Sequence, residues 1–238
     1  ERDSAIHARG GDEGGDGGVI EISGKSVGVN GTMSSAAGAG GAAGTILIDP
    51  DRISIVDGAG ADDAQIGDRT INAGDNPNLT FTVGDDAINA ALSGGDQTVL
   101  LEAEAAIDFG ANVAIAIDSN DTLTFRVTGF DSDASAPAFT GITNSGGNAT
   151  ITAGAGTAPT INFVTINGAT SSSPISVAGM TIDAGSGNIS INSSQDFFQG
   201  LDTYTTAGAG TISYTAATVV DIGIVNVANG NLTVNAGT

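Results

Sequence analysis

The sequence predicts an all-β protein that folds as a parallel β-solenoid, and three observations lead to this prediction. The composition favours turns: the 238 residues include 37 glycines, and aspartate far outnumbers glutamate. The apolar residues fall in short alternating runs, and a degenerate motif recurs along the chain. Large aromatic side chains are scarce, with 8 Phe, 2 Tyr and no Trp, so the core must be built mainly from aliphatic residues.

The alternating runs are predicted strands. Each is four to nine residues long and is bounded by Gly, Asn, Asp or Ser, the residues that favour tight turns. The predicted strands are Val19–Ile22, Thr45–Ile48, Leu79–Val83, Thr98–Leu101, Val113–Ile117, Leu123–Val127, Ile161–Ile166 and Val219–Val227.

The recurring motif has the form Thr, β-branched residue, small polar residue, then small residues. It occurs as TINAG at 70–74, TITAG at 150–154, TINGA at 165–169, TIDAG at 181–185 and TVNAG at 233–237. A related Gly-Asn motif occurs at 147–151, 187–191 and 230–234. The spacing of these motifs predicts coils of about 20 residues.

One segment has a different periodicity. Residues 85–93 predict a short helical excursion from a coil, with an aspartate as the N-terminal cap and Gly94-Gly95 as the end.

Charge and cysteine content exclude several classes of function. The net charge of −21 argues against nucleic acid and anionic membranes as partners, since both select for Lys and Arg. With no cysteine, the chain has no disulfide, thiolate metal site or cysteine nucleophile. We expect no catalytic, cofactor-binding or metal-binding residues.

The charges also divide the chain into two segments. Residues 1–133 form an acidic, glycine-rich segment with all six basic residues and 23 of the 27 acids. Residues 134–238 contain only four aspartates and are rich in Ser, Thr, Asn and Gly. We interpret this second segment as a low-charge continuation of the same solenoid.

Residues 10–130 resemble a known family. The segments GGDGGVIEISGK (14–25), GAGGAAGTILIDPDRISIV (38–56) and INAALSGGDQTVLLEAEAAIDF (88–109) follow one another in an order similar to that in exoproteins of the filamentous-haemagglutinin type. The resemblance implies a right-handed parallel β-helix, secretion to the bacterial cell surface by a two-partner system with an outer-membrane transporter, and a role in adhesion. Asn76-Pro77 matches a motif of the family's secretion domain, but its position is wrong for that domain.

Several polar groups have a chemical and a structural interpretation. The acids at Asp62/Asp63, Asp85/Asp86, Asp118/Asp121 and Asp131/Asp133 could bind Ca²⁺, although none forms a complete calcium loop. We favour the interpretation that they are solvated turn acids. His7 has no second histidine or cysteine as a partner, and Lys25 is interpreted as a turn residue.

Asparagine sequons are frequent, because they arise wherever a turn Asn precedes a strand Thr or Ser. They include Asn30, Asn78, Asn148, Asn188, Asn192 and Asn231. Whether they are glycosylated is left open.

A carbohydrate-active β-helix enzyme is the remote alternative. Asp85, Asp108 and Asp121 are the candidate carboxylates, because glycoside cleavage needs two acids about 5–10 Å apart. A lyase of this shape would instead need a Lys or Arg base near an acidic sugar, and Arg126 is the candidate for it. Only Tyr204 and Tyr214 offer tyrosine rings on which a sugar could stack.

The favoured function is a non-enzymatic, adhesive shaft of a large secreted surface protein. The final repeat is followed by no amphipathic helix or polar cap, which suggests an alternative: a filament subunit that stacks end to end through uncapped solenoid ends. The expected partners are other copies of the chain, end to end or laterally, the transporter, and a surface glycan or receptor.

Overall fold

The fold is described by a computed structural model. It describes residues 5–11, 14–23, 32–42, 44–49, 52–58, 81–93, 95–103, 105–128, 141–166, 174–200, 203–206 and 209–237.

The described residues lie mostly in strands of parallel sheets. The first sheet contains, in spatial order, β2 (Val19–Ser23), β4 (Thr45–Asp49), β7 (Thr98–Ala103), β10 (Thr122–Val127), β13 (Thr160–Thr165), β16 (Asn188–Ser193), β19 (Thr211–Ala216) and β22 (Asn231–Ala236). The second sheet contains β20 (Val220–Asp221), β17 (Phe197–Phe198), β14 (Ile175–Ser176), β11 (Gly141–Thr143), β8 (Ala106–Phe109), β5 (Arg52–Val56) and β6 (Phe81–Gly84). The third sheet contains β21 (Ile224–Val227), β18 (Thr203–Thr206), β15 (Thr181–Asp183), β12 (Thr150–Ala153) and β9 (Ala114–Ile117). A small sheet pairs β1 (Ala5–His7) with β3 (Thr32–Ser34).

From β7 onward the chain visits the first, second and third sheets in turn, and this order repeats until β22 returns to the first sheet. All pairings between the described strands are parallel. The topology is therefore consistent with the predicted parallel β-solenoid. Because β10 pairs with β13, the first sheet continues from the acidic segment into the low-charge segment.

Most coils are longer and less regular than predicted. Residues that meet across adjacent strands of the first sheet, from β7 to β19, are 24, 38, 28 and 23 positions apart in successive coils. The expectation of about 20 residues holds for the last coil, in which Thr211 pairs with Asn231, and the other coils are longer because their connections differ in length. In the longest of these coils, the extra residues lie between β10 and β11.

The core consists of stacked rows of apolar side chains. Strands β10, β13 and β19 alternate half-buried and buried positions, as expected when every second residue points inward. One row of the first sheet aligns Leu123 with Ile161, and the next aligns Phe125 with Phe163. The Phe125 ring lies 5.2 Å from that of Phe163 and 4.9 Å from that of Phe109 in the second sheet. The first and second sheets thus contribute to one aromatic cluster.

Glycine is required at the corner that precedes the first sheet. A Cβ atom on Gly187 would collide with the carbonyl oxygen of Pro159 in the preceding coil, and one on Gly230 would collide with that of Gly210. The corners of successive coils therefore stack too closely for a side chain at these positions.

The predicted helix is confirmed as α1 (Asp85–Leu92), but the predicted cap is wrong. The N-cap residue is Gly84, which makes no side-chain cap hydrogen bond, and the C-cap is Ser93. Ile88 and Leu92 are buried, and α1 contacts both β3 and β9. The helix therefore lies beside the third sheet. Along the chain it follows β6 of the second sheet and precedes β7 of the first sheet.

Two further details differ from the predictions. The predicted strand Val219–Val227 is divided into β20 and β21, which belong to different sheets, so a corner interrupts it. In addition, β5 pairs with β8 on one side and with β6 on the other, so β6 does not lie between β5 and β8. The order of strands in the second sheet thus departs from the order in the chain.

Among the described residues, no helix has both the length and the apolar character that a membrane crossing requires.

Candidate functional site

Aspartates in the turns and at strand ends connect one coil to the next. On β8, Asp108 Oδ1 accepts hydrogen bonds from Thr143 Oγ1 at 2.6 Å and from the Ser145 amide at 3.1 Å, and its Oδ2 accepts from Ser145 Oγ at 2.5 Å. All three donors belong to the next coil. A carboxylate suits this position because it accepts several hydrogen bonds at once.

Asparagines in the turns make similar connections. Asn148 Oδ1 accepts from the Asn112 amide at 2.7 Å, while its Nδ2 donates to Asn112 Oδ1 at 2.7 Å. Asn188 Oδ1 accepts from the amide and the hydroxyl of Thr211. Asp and Asn side chains in the turns therefore form contacts between coils, in addition to favouring the turns themselves.

Two side chains of α1 cover the edge of the third sheet. Asp85 Oδ2 accepts from the Ala114 amide at 2.6 Å, and Asn89 Oδ1 accepts from the Ala116 amide at 2.8 Å. Asn89 Nδ2 donates to the Ala114 carbonyl at 3.1 Å, and Asp85 Oδ1 accepts from the Gly58 amide at 2.8 Å. The helix thus supplies β9 with the hydrogen bonds that a neighbouring strand would supply.

Asp121 is the most unusual carboxylate of the described residues. It is buried at the corner before β10, where Oδ1 accepts from the Gln97 amide at 2.6 Å and from Ser119 Oγ at 2.8 Å. Its Oδ2 is buried without a hydrogen-bond partner. Burial raises the pKa of this carboxyl, and the negative charges of Asp118 and Asp96 act in the same direction.

The candidate calcium ligands that the structure describes do not come together in a site. Asp85 and Asp121 are buried and bind protein donors, whereas Asp86 and Asp118 are exposed. Among the described residues, no group of three or more acidic or histidine side chains is placed to hold a metal ion. Asp62, Asp63, Asp131, Asp133 and Lys25 lie outside the described residues, and His7 is exposed on β1.

The candidate carboxylates of the enzyme alternative lie at different places in the fold. Asp85 binds the edge of the third sheet, Asp108 lies on the second sheet, and Asp121 lies at the corner before the first. Arg126 pairs with Glu102 on the adjacent strand, an ion pair that only the register of the two strands reveals. Tyr214 is fully buried against Phe197, with ring centroids 5.1 Å apart, so it is not available to stack on a sugar.

The outer face of the second sheet carries an open cleft of about 410 Å³, lined by Arg52, Ile53, Ser54, Ala106, Asp108, Thr143 and Ser145. It combines a cation, a carboxylate and hydroxyl groups, which can bind a small polar group. Both oxygens of Asp108 already accept hydrogen bonds from Thr143 and Ser145. Among the described residues, the cleft therefore presents one bonded carboxylate rather than the pair that glycoside cleavage requires.

The sequons differ in their surroundings. Asn192 and Asn231 are exposed, and Asn148 and Asn188 are exposed but hydrogen-bonded to the neighbouring coil. Asn30 and Asn78 lie outside the described residues, as does the Asn76-Pro77 motif.

Several apolar side chains of the last coil are exposed. Leu232 is 48% exposed and Val234 41%, although the residues paired with them on β19, Ile212 and Tyr214, are completely buried. Val219 and Ile224 of the same coil are also exposed.

Comparisons with protein-family models, with curated proteins and with solved structures found no match. The resemblance to exoproteins of the filamentous-haemagglutinin type therefore stays a prediction.

Proposed function

We propose that this chain is a non-enzymatic shaft segment of a large secreted bacterial surface protein, folded as a right-handed parallel β-helix. The observation that carries the proposal is the in-register stacking of strands in three sheets, connected at the turns by side chains such as Asp108 and Asn148. Each coil binds mainly its two neighbours, so the structure can be extended by adding coils and suits a spacer.

The surface chemistry supports the same proposal. The carboxylates Asp85, Asp108 and Asp121 accept hydrogen bonds from protein donors, and these bonds support a structural role for all three. The net charge of −21 keeps such a rod soluble and away from other anionic surfaces. Secretion through a two-partner transporter, a place on the cell surface and adhesion to a glycan or receptor follow from the family resemblance, and they are part of the proposal.

A shaft must bear load, so single-molecule extension of the whole chain from its two termini tests the proposal. Coils should detach one after another, and a coil of 24 residues should lengthen the chain by about 80 Å. A single all-or-none opening at negligible force would contradict the shaft.

Adhesion and catalysis need a separate assay on the same protein. Beads coated with the chain should adhere to a polysaccharide panel or to epithelial cells without consuming the polysaccharide. Release of reducing sugar would instead favour the carbohydrate-active alternative, in which the cleft beside Arg52 and Asp108 is the first place to mutate.

The second candidate function is self-assembly into a filament that stacks end to end. The parallel stacking of strands in three sheets supports it, because strand edges of this kind can pair with those of another copy.

A further inference from the structure

The outer face of the second sheet has a depression beside Arg52, and its shape follows from the residues that face outward there. The cleft of about 410 Å³ begins at Arg52 on β5, whose register partner on β8 is Ala106. Ala106 in turn pairs with Gly141 on β11, so a row that starts with a long side chain continues with two of the smallest residues. A Cβ atom on Gly141 would collide with the carbonyl oxygen of Pro174 in the next coil. The depression is therefore built into the sheet.

The hydroxyl groups on one side of the cleft have a fixed orientation. Thr143 Oγ1 and Ser145 Oγ both donate to the ionised carboxylate of Asp108, which can only accept. Because the single proton of each hydroxyl is directed at Asp108, the lone pairs of the two oxygens remain available as acceptors. The carboxylate also polarises these hydroxyl groups, and linked hydrogen bonds strengthen one another. This side of the cleft is therefore preorganised to accept hydrogen bonds from a ligand.

Arg52 supplies donors on the other side of the cleft. Its guanidinium carries five N–H groups, so it can hold a protein partner and a ligand at the same time. The charges of Arg52 and Asp108 balance, so the lining of the cleft has no net charge. An anion would lie against Asp108, and an ammonium group or a metal ion would lie against Arg52, so both are disfavoured. The lining selects a neutral ligand with closely spaced hydroxyl groups, which is the chemistry of a sugar.

An exposed aromatic ring on the same face indicates a ligand of more than one sugar. One outward row of the second sheet contains, strand by strand, Asp108, Thr143, Ser176 and Phe198. Three strand spacings place Phe198 about 14 Å from Asp108 along this row. Phe198 is 37% exposed, and its ring offers an apolar face to the C–H groups of a sugar. The row therefore leads from a polar cleft to an aromatic platform.

We propose that the outward face of the second sheet binds a neutral oligosaccharide, with one sugar in the cleft beside Arg52 and Asp108 and another against Phe198. The sugars follow the direction in which the coils stack. Hydroxyl groups of the first sugar donate to Thr143 and Ser145, and Arg52 donates to one of its oxygens. The inference rests on the adhesive part of the proposed function and gives that adhesion a place on this chain.

Backbone amide chemical shifts, measured by NMR on the whole chain, test the site. The probes are short oligosaccharides of glucose, mannose or galactose, with a uronic-acid oligosaccharide and a glucosamine oligosaccharide as the acidic and basic counterparts. The amides of Thr143, Ser145 and Phe198 should shift with at least one neutral probe, and those of Ala114 and Thr150 in the third sheet should not. Tighter binding of the acidic or the basic counterpart would overturn the assignment to a neutral sugar. Absence of shifts at the second sheet with every neutral probe would overturn the proposal.

Three variants separate the binding site from general effects on the fold. Ser145→Ala removes one acceptor of the cleft and should raise the dissociation constant by about three- to tenfold. Ser213→Ala is the matched control, because it removes the same hydroxyl from the outward row of the first sheet and should leave the constant unchanged. Phe198→Ala should weaken the binding of an oligosaccharide by about threefold or more and leave that of a single sugar unchanged. Equal effects of Ser145→Ala and Ser213→Ala would contradict the site.

These outcomes are distinguishable from failure of the shaft. A chain that opens coil by coil under load but binds no neutral sugar is a shaft without this site. A chain that adheres to a polysaccharide in the bead assay without shifts at the second sheet binds the polysaccharide elsewhere. Shifts at the second sheet in a chain that opens at negligible force would keep the site and contradict the shaft.

Discussion

Asp85 of α1 accepts a hydrogen bond from the backbone amide of Ala114, with 2.6 Å between Asp85 Oδ2 and the nitrogen. Ala114 begins β9, which among the described strands is the last of the third sheet on this side. Together with Asn89, one helical turn later, Asp85 satisfies three backbone groups of that strand. A short helix therefore ends a parallel sheet without leaving its edge open to another chain.

The buried carboxylate of Asp85 should contribute strongly to stability. Asp85→Asn replaces one acceptor oxygen with an NH₂ group, which would face a backbone N–H instead of accepting from it, so we expect a loss of about 1–3 kcal/mol in the free energy of unfolding. Urea denaturation measures this loss. Asp86→Asn is the matched control, since the neighbouring Asp86 is exposed and its substitution should change stability by less than about 0.5 kcal/mol. Equal effects of the two variants would contradict the edge-covering role.

Asp121 should make stability depend on pH in the direction opposite to that of a paired carboxylate. Burial raises its pKa above the ordinary value of 3.8, so just above that pH the folded chain holds a proton that the unfolded chain releases. Its contribution to stability is therefore present at low pH and is lost as the pH rises through this window. Denaturation of the parent and of Asp121→Asn across acidic and neutral pH isolates the effect. The stability of the variant relative to the parent should increase with pH, and a difference independent of pH would contradict this account.

The aromatic cluster should dominate the core energy. Phe125 contacts the rings of Phe109 and Phe163 and is completely buried, so Phe125→Ala should cost about 3–5 kcal/mol. Phe198→Ala removes the same side chain from a position that is 37% exposed and should cost much less. Thermal unfolding followed by circular dichroism compares the two variants, and similar losses would argue against the inward assignment of Phe125.

Much of the secondary structure was predictable because alternation is a local signal. The strands at Thr98–Leu101 and Leu123–Val127 fall within β7 and β10, and the helix begins at Asp85 as expected. The cap was not predictable, because Asp85 has the residue type of an N-cap but turns its carboxylate toward Gly58 and Ala114. Those partners are distant in the sequence.

The repeats predicted stacking but not the coil length. TITAG at 150–154 and TIDAG at 181–185 do align in adjacent strands of the third sheet, with Thr150 beside Thr181. The Gly-Asn motif at 147–151, however, leads into the third sheet, whereas those at 187–191 and 230–234 lead into the first. Similar motifs precede strands of different sheets because each forms the tight turn that leads into a strand. Their spacing therefore does not equal one coil.

The central claim is that coils stack in register along one axis, and distances between paired spin labels test it most directly. The chain has no cysteine, so cysteines introduced on the outward row of the first sheet can be labelled alone. Leu100, Thr124, Asn162, Ser190, Ser213 and Thr233 follow one another along this row, one per strand. With labelled chain diluted by unlabelled chain, the pair Leu100→Cys and Thr233→Cys should be separated by about 24 Å, five strand spacings. Moving the second label to Ser213 should shorten the distance by about 4.8 Å. Distances that do not increase with each strand along the row would contradict the stacked-coil account.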